Sequence, residues 1–136
     1  MADWQGFLRQ ARRFWEVAEA ANDPEHASQA ASNAIHAVIA ANDAICLYLS
    51  GERPTGDSHS QAAQVLQRAC RGTQWEEEAA KRARQFAQIM REKNAAEYEG
   101  RSLDQETVAM IMRRARRFIN WAETILPRLP LSSEEE

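Results

Sequence analysis

Apolar residues recur every three or four positions along most of the chain, which is the spacing that places them on one face of an α-helix. The repeat is regular at the amino end, where it predicts a first helix over about 3–21. Its apolar members are Trp4, Phe7, Leu8, Ala11, Phe14, Trp15 and Ala18. No segment alternates between apolar and polar residues as a half-buried strand does, and glycine and proline fall in plausible connections, apart from Gly6. These patterns favour helices throughout.

Start and stop signals divide the rest of the chain into four further helices. Asp23, followed by a proline, predicts the N-cap of a second helix that runs to about Leu49 and ends at Ser50-Gly51. Three pairs with the spacing of a capping box predict the starts of the other helices. These pairs are Ser58 with Gln61, Thr73 with Glu76, and Ser102 with Gln105. The corresponding helices are expected to end near Cys70, Tyr98 and Pro127.

The second helix is rich in alanine, and such small side chains let neighbouring helices approach on several sides. Its most apolar run, 34–49, is too short to span a bilayer and is interrupted by Asn42 and Asp43, so we expect a buried central helix. Five amphipathic helices with short connections predict an all-α fold. Its expected architecture is an antiparallel up-down helical bundle of four long helices plus one short helix, the third.

Composition is that of one globular domain, since 44% of the 136 residues are apolar and 27% are charged. We predict a helical bundle domain over 1–131 and a disordered acidic tail, SSEEE, over 132–136. The formal net charge of −3 argues against a strongly basic nucleic-acid-binding protein. Two cysteines provide no disulfide framework, and the first ten residues lack the pattern of a signal peptide. A cytoplasmic location is therefore predicted.

Three segments carry a family resemblance through their order and spacing. ASNAIHAVIAANDAICLYLSGER, residues 31–53, is an alanine-rich helix pattern followed by a loop with glycine. GDSHSQAAQVL, residues 56–66, places His59 at the start of the next helix. KNAAEYEG, residues 93–100, precedes a last helix in SLDQETVAMIMRRARRFINWAETIL. Together these segments resemble the HEPN superfamily (higher eukaryote and prokaryote nucleotide-binding domains), nearest to its uncharacterised, actinobacterial-type branch.

The resemblance raises the question of catalysis. Many HEPN proteins are ribonucleases with an arginine and a histidine roughly four to six residues beyond it, at a site shared across a dimer. Here Lys93 holds the arginine position and Tyr98 the histidine position. A phenol, with a reference pKa of about 10, is a poor general base at neutral pH compared with an imidazole near 6.5. We therefore predict no catalytic residue. The alternative is a toxin-type ribonuclease with a degenerate motif made of Arg91, Lys93, Asn94 and Tyr98 with His59.

Asp43 lies among apolar residues, where a carboxylate needs a cation or hydrogen-bond donors. One interpretation is a structural ion pair with Lys93 or an arginine. The other is a polar pocket of Asp43, His59, Lys93 and Tyr98, formed where the second, third and fourth helices meet and able to bind an anionic small molecule. The predicted binding residues are Asp43, His59, Lys93, Asn94 and Tyr98.

Two arginine clusters have two interpretations. Arg113, Arg114, Arg116 and Arg117 lie on the last helix, and Arg9, Arg12 and Arg13 lie on the first. If these helices are neighbours, the arginines could follow a phosphate backbone. Because acids flank both clusters, a solvated face is the other interpretation.

Partners are predicted from the aromatic residues and from the family resemblance. A slender bundle cannot enclose all of Phe14, Trp15, Trp75, Phe118 and Trp121, so a partner should cover some of them. This argument and the resemblance predict a homodimer. The resemblance further implies a nucleotidyltransferase-type protein partner, and a nucleotide or RNA as ligand. No membrane association is predicted. No cofactor or metal is predicted either, since the chain has neither a phosphate-binding glycine loop nor zinc-ligand spacing.

Overall fold

Five α-helices make up the fold in a computed structural model that describes residues 3–54, 59–100 and 102–129. They are α1 (Trp4–Ala20), α2 (Ala27–Ser50), α3 (His59–Cys70), α4 (Glu76–Glu99) and α5 (Gln105–Ile125). No strand occurs among the described residues, so the predicted all-α fold, with four long helices and a short third one, is confirmed. The predicted tail, 132–136, lies outside the described residues, as does the predicted cap Ser58.

Three helices begin later than their sequence signals suggest, and one of them is α4, whose N-cap is Trp75 rather than Thr73. The Asp23 carboxylate accepts hydrogen bonds from the backbone N–H groups of Glu25 (2.9 Å) and His26 (3.0 Å). It therefore stabilises a turn before α2, and the prediction that it caps the helix is wrong, because His26 is the N-cap. At α5, the N-cap is Asp104 rather than Ser102, since its carboxylate accepts from the N–H of Thr107 at 2.7 Å.

The four long helices run up and down past one another. Trp4 of α1 contacts Tyr48 of α2 with ring centroids 5.4 Å apart, so the start of α1 lies beside the end of α2. Arg12 of α1 forms an ion pair with Glu123 near the end of α5 at 2.8 Å, whereas Asn22, beyond the end of α1, lines a cavity with Met112 closer to the start of α5, so this pair is antiparallel as well. The α4 and α5 helices are joined by a hydrogen bond from Arg114 to Gln88 at 2.6 Å.

The α2 helix is the packing centre, as its alanine content predicts. Half of its 24 residues are buried, and it contacts α1, α3 and α5. By length and composition it is the one helix among the described residues that could cross a membrane, but 67% of its most apolar window is buried inside the bundle. Burial therefore explains its apolar character.

Aromatic residues lie partly in the core and partly at its edge. Phe118 and Trp121 are buried and pack edge to face, with centroids 5.6 Å apart. Phe14, Trp15 and Trp75 are only partly buried against the same core. Some aromatic surface therefore remains open to solvent.

Candidate functional site

A cavity of about 290 Å³ lies where the start of α2, the end of α4 and the segment before α5 meet. The KNAAEYEG segment, 93–100, forms one side of it. Its polar lining consists of Ser28, Ser32, Lys93, Glu97 and Ser102. Its apolar lining consists of Ile35, Ala96 and Leu103.

The α2 side of the cavity follows from helical spacing. Ser28, Ser32 and Ile35 are separated by four and three residues, so they share one face in the first turns of the helix. No side chain caps the first turn of α2, and its backbone N–H groups make this end of the helix electropositive. The hydroxyl groups of Ser28 and Ser32 therefore lie near the electropositive start of α2.

The α4 side of the cavity contributes an ion pair. The ammonium group of Lys93 lies 2.9 Å from Oε2 of Glu97, one turn further along the helix. The Lys93 side chain is 26% exposed and that of Glu97 is 64% exposed, so solvent reaches the pair. Such pairs contribute only about 0.3–0.5 kcal/mol, so a ligand anion can compete with Glu97 for the ammonium at little cost.

The groups that line the cavity can donate and accept hydrogen bonds to a ligand. Lys93 donates hydrogen bonds, the serine hydroxyls donate and accept, and the carboxylate of Glu97 accepts. Ile35, Ala96 and Leu103 supply an apolar surface beside these groups. This combination suits a small molecule with an anionic group and a flat or apolar part.

Tyr98 and Asn94 do not join Lys93 in the cavity. Five residues of helix rotate Tyr98 by about 140° relative to Lys93, at roughly 100° per residue. Tyr98 is 94% exposed, and Asn94 is exposed as well. The positions that resemble the two members of the nuclease motif therefore face different directions on α4.

Asp43 lies in a different part of the bundle, close to Arg53. Its Oδ2 is 3.8 Å from Nε of Arg53, whose guanidinium also lies over the ring of Phe7 at 4.8 Å from the centroid. Burial raises the pKa of Asp43 to about 6, while the positive charge of Arg53 acts to lower it. The prediction of an ion pair with an arginine is confirmed.

The predicted convergence of Asp43 with Lys93 and Tyr98 is wrong. Asp43 lies eleven positions beyond the cavity residue Ser32 on α2, which corresponds to about 16 Å along the axis. The antiparallel packing of α4 brings Lys93 to the start of α2 and leaves Asp43 near its other end. His59 is the first residue of α3, but its side chain lies outside the described part of the structure, so its role stays a prediction.

Three serines of the cavity were not anticipated from the sequence. Ser28 and Ser32 are one turn apart on an otherwise alanine-rich helix, which is a weak signal for a polar face. Ser102 was interpreted as a helix cap. The structure instead gives that role to Asp104 and places Ser102 in the cavity lining.

Comparison with known proteins identifies a family. A family model described as HEPN domain matches residues 4–125, which includes all five helices. No curated protein and no solved structure shows significant similarity to the chain. The match spans nearly the whole described bundle, including the cavity. The chain therefore belongs to the HEPN domain family.

Proposed function

We propose that this chain is a non-catalytic HEPN domain that works as a homodimeric binding and interaction module, with the cavity beside Lys93 as its ligand site. The supporting observation is the separation of Lys93 from Tyr98. Lys93 lines the cavity and pairs with Glu97 at 2.9 Å, whereas Tyr98 is 94% exposed on another side of the same helix.

This separation disfavours RNA cleavage by these residues. General acid–base catalysis requires a proton-transfer group within hydrogen-bond reach of the reacting atoms. An ion-paired ammonium donates hydrogen bonds but accepts none, and no imidazole occupies the position of Tyr98. A second group would have to come from elsewhere, and His59 is the candidate within the ribonuclease alternative.

A nucleotide is the ligand that the cavity supports best. A phosphate would take Lys93 from Glu97 and accept hydrogen bonds from the hydroxyls of Ser28 and Ser32 near the start of α2. A base would lie on Ile35 and Leu103. The volume of about 290 Å³ is at the lower end of typical small-molecule sites, which favours a mononucleotide or a chain end over a long polymer.

A protein partner fits the surface next to this site. Tyr98 lies between Glu97 and Glu99 at the end of α4, and an almost fully exposed aromatic ring is a common anchor in protein interfaces. A nucleotidyltransferase-type protein encoded elsewhere is the partner we propose for it, in the cytoplasm.

Calorimetric titration with nucleoside monophosphates and triphosphates tests the ligand site. We expect Lys93→Ala to weaken binding at least about tenfold, because it removes the one cation among the described residues of the cavity lining. Lys81→Ala is the matched control, since Lys81 is an exposed lysine on the same helix and lies outside the cavity. Equal binding by both variants would exclude this cavity as the site.

Incubation of the protein with labelled tRNA and mRNA in the presence of EDTA tests the alternative. We expect intact RNA. Metal-independent cleavage that is lost in His59→Ala or Tyr98→Phe would replace the proposed function with the toxin-type ribonuclease.

A further inference from the structure

A second concave surface runs along the seam between α1 and α5. It consists of two adjoining cavities of about 330 and 390 Å³, which share Trp15, Glu19 and Arg116. The surface extends from the Arg12–Glu123 ion pair at one end to Asn22 at the other. It is separate from the ligand cavity, and we call it the α1/α5 groove.

Charges of both signs line the α1/α5 groove in equal number. The cations are Arg12, Arg113 and Arg116, and the anions are Glu16, Glu19 and Glu123, which gives 3 − 3 = 0. Arg12 and Glu123 neutralise each other at 2.8 Å. Glu16, Glu19, Arg113 and Arg116 have no ion-pair partner among the described residues, and all four are exposed. Two acids and two bases are thus open to an incoming surface.

The exposed face of α4 shows the opposite electrostatic pattern. A furrow of about 580 Å³ there is lined by Lys81, Arg84 and Arg91 with glutamine and alanine, and by no acid. In a two-fold homodimer the same patch meets itself, so this furrow would bring three cations against three. The α1/α5 groove has a net charge of zero, so two copies can pack groove to groove without that repulsion.

An aromatic anchor lies in the middle of the α1/α5 groove. Trp15 lines both cavities and is only partly buried in this protomer. Met112 lines one cavity and Ile119 the other, and both are mostly buried in the core, so Trp15 provides most of the open apolar surface beside the charges. Tryptophan and arginine are the residue types that contribute most to protein interfaces, whereas three glutamates oppose a nucleic-acid backbone.

We infer that the α1/α5 groove is the homodimer interface, in which a second copy of the chain docks its own groove about a two-fold axis. The inference rests on the homodimer of the proposed function and names its surface. In this arrangement Arg113 and Arg116 of each copy meet the free glutamates of the other, and the two Trp15 rings are covered from solvent.

Sedimentation velocity on the full chain, from about 5 to 200 µM, tests this surface. The double variant Arg113→Glu/Arg116→Glu changes the groove from 0 to −4, and we expect its dimer to be at least about tenfold weaker. The matched control is Arg84→Glu/Arg91→Glu, which makes the same change of charge on the α4 face and should leave the dimer intact. Far-UV circular dichroism checks that both variants fold.

A mixing experiment then tests charge complementarity. The variant Glu16→Lys/Glu19→Lys changes the net charge of the groove from 0 to +4, and we expect it to form a heterodimer with Arg113→Glu/Arg116→Glu that is tighter than the weakened homodimer of either variant. Equal effects of the groove and α4 variants, or no heterodimer on mixing, would overturn this interface. A wild-type chain that stays monomeric would overturn the homodimer itself, while calorimetric nucleotide binding would still decide the ligand site separately.

Discussion

The carboxylate of Asp43 lies 3.8 Å from Nε of Arg53, which follows the end of α2 and is the cation that pairs with Asp43 among the described residues. The arginine is 45% exposed and the aspartate 14%, so a mostly buried acid depends on a cation that solvent can reach. Burial outweighs the attraction of Arg53 and raises the pKa of Asp43 from 3.8 to about 6. The ionised form of Asp43 is therefore a source of instability at neutral pH.

Asp43→Asn should stabilise the protein at pH 7 and have little effect near pH 3.5. Because the folded-state pKa is raised, the contribution of Asp43 to stability is fully present below 3.8 and is lost as pH rises through about 6. The shift, which already includes the attraction to Arg53, corresponds to about 3 kcal/mol at most, and partial access of solvent to this site reduces the expected gain to about 1–2 kcal/mol. Urea unfolding of both proteins at the two pH values measures the difference.

The control for this substitution is an exposed acid outside the helices. Glu25→Gln should change the free energy of unfolding by less than about 0.5 kcal/mol at either pH. A gain for Asp43→Asn of the same size at both pH values would show that titration of Asp43 is not its cause.

Arg53 should stabilise the fold through two contacts that a double-mutant cycle can separate. Arg53→Ala removes the ion pair with Asp43 and the contact with the Phe7 ring at 4.8 Å. In the wild-type background at pH 7 we expect a loss of about 1–1.5 kcal/mol, and in the Asp43→Asn background a loss of about 0.5 kcal/mol, the contribution of the ring contact. Equal losses in both backgrounds would mean that the ion pair contributes nothing.

Both cysteines should be protected from thiol reagents in the folded protein. Cys46 and Cys70 are buried and free, and burial raises the pKa of Cys46 to about 12 and that of Cys70 to about 11. Since the thiolate is the reactive form, we expect reaction with Ellman's reagent to be at least about a hundredfold slower than for a small free thiol. Gln74→Cys adds an exposed thiol as the control, and it should react at once. Two fast thiols in the wild type would show that α2 and α3 separate readily.

The fold was predictable from the sequence because each helix carries its own apolar stripe and stop signal. The alanines of α2 identified the central helix, and Gly51 and Gly100 end α2 and α4 with positive φ angles that favour glycine. Helix starts were harder to predict. Asp23 and Ser102 are of types that often cap helices, yet Asp23 stabilises a turn and Ser102 lines the cavity. Residue type alone does not say which backbone N–H group a short side chain will reach.

The site was predictable only in part. Lys93 was identified through its place in the KNAAEYEG segment, and it does line a cavity. The error was to group it with Asp43, although an antiparallel α4 necessarily brings its end to the start of α2 rather than to Asp43. The cavity serines gave almost no signal, because serine is common on helices and in the segments between them. Whether such a serine lines a cavity depends on which helix end lies opposite, and the sequence does not show this.

Close packing around α2 should make its buried alanines intolerant of larger side chains. Ala37 is fully buried on this helix, so Ala37→Leu adds volume where the neighbouring helices already touch. We expect a loss of about 1–3 kcal/mol in the free energy of unfolding, measured with urea. Ala95→Leu is the matched control, because Ala95 is exposed on α4 and should change stability by less than about 0.5 kcal/mol. A tolerated leucine at position 37 would contradict the view of α2 as the packing centre.

Among the described residues, Asn42 is the one polar residue buried in the core, and its side-chain oxygen has no hydrogen-bond partner there. An unsatisfied buried acceptor costs about 1–3 kcal/mol, and leucine has the same branching at Cγ without polar atoms. Asn42→Leu should therefore raise the free energy of unfolding by about 1 kcal/mol. Asn33→Leu is the comparison, because Asn33 is only partly buried and its side chain donates a hydrogen bond to the carbonyl of Gln29 at 2.9 Å, so no gain is expected there. A loss of stability in Asn42→Leu would show that the oxygen is satisfied in solution, by a buried water or by a bound molecule, and would make this point of the core a site to examine for occupancy.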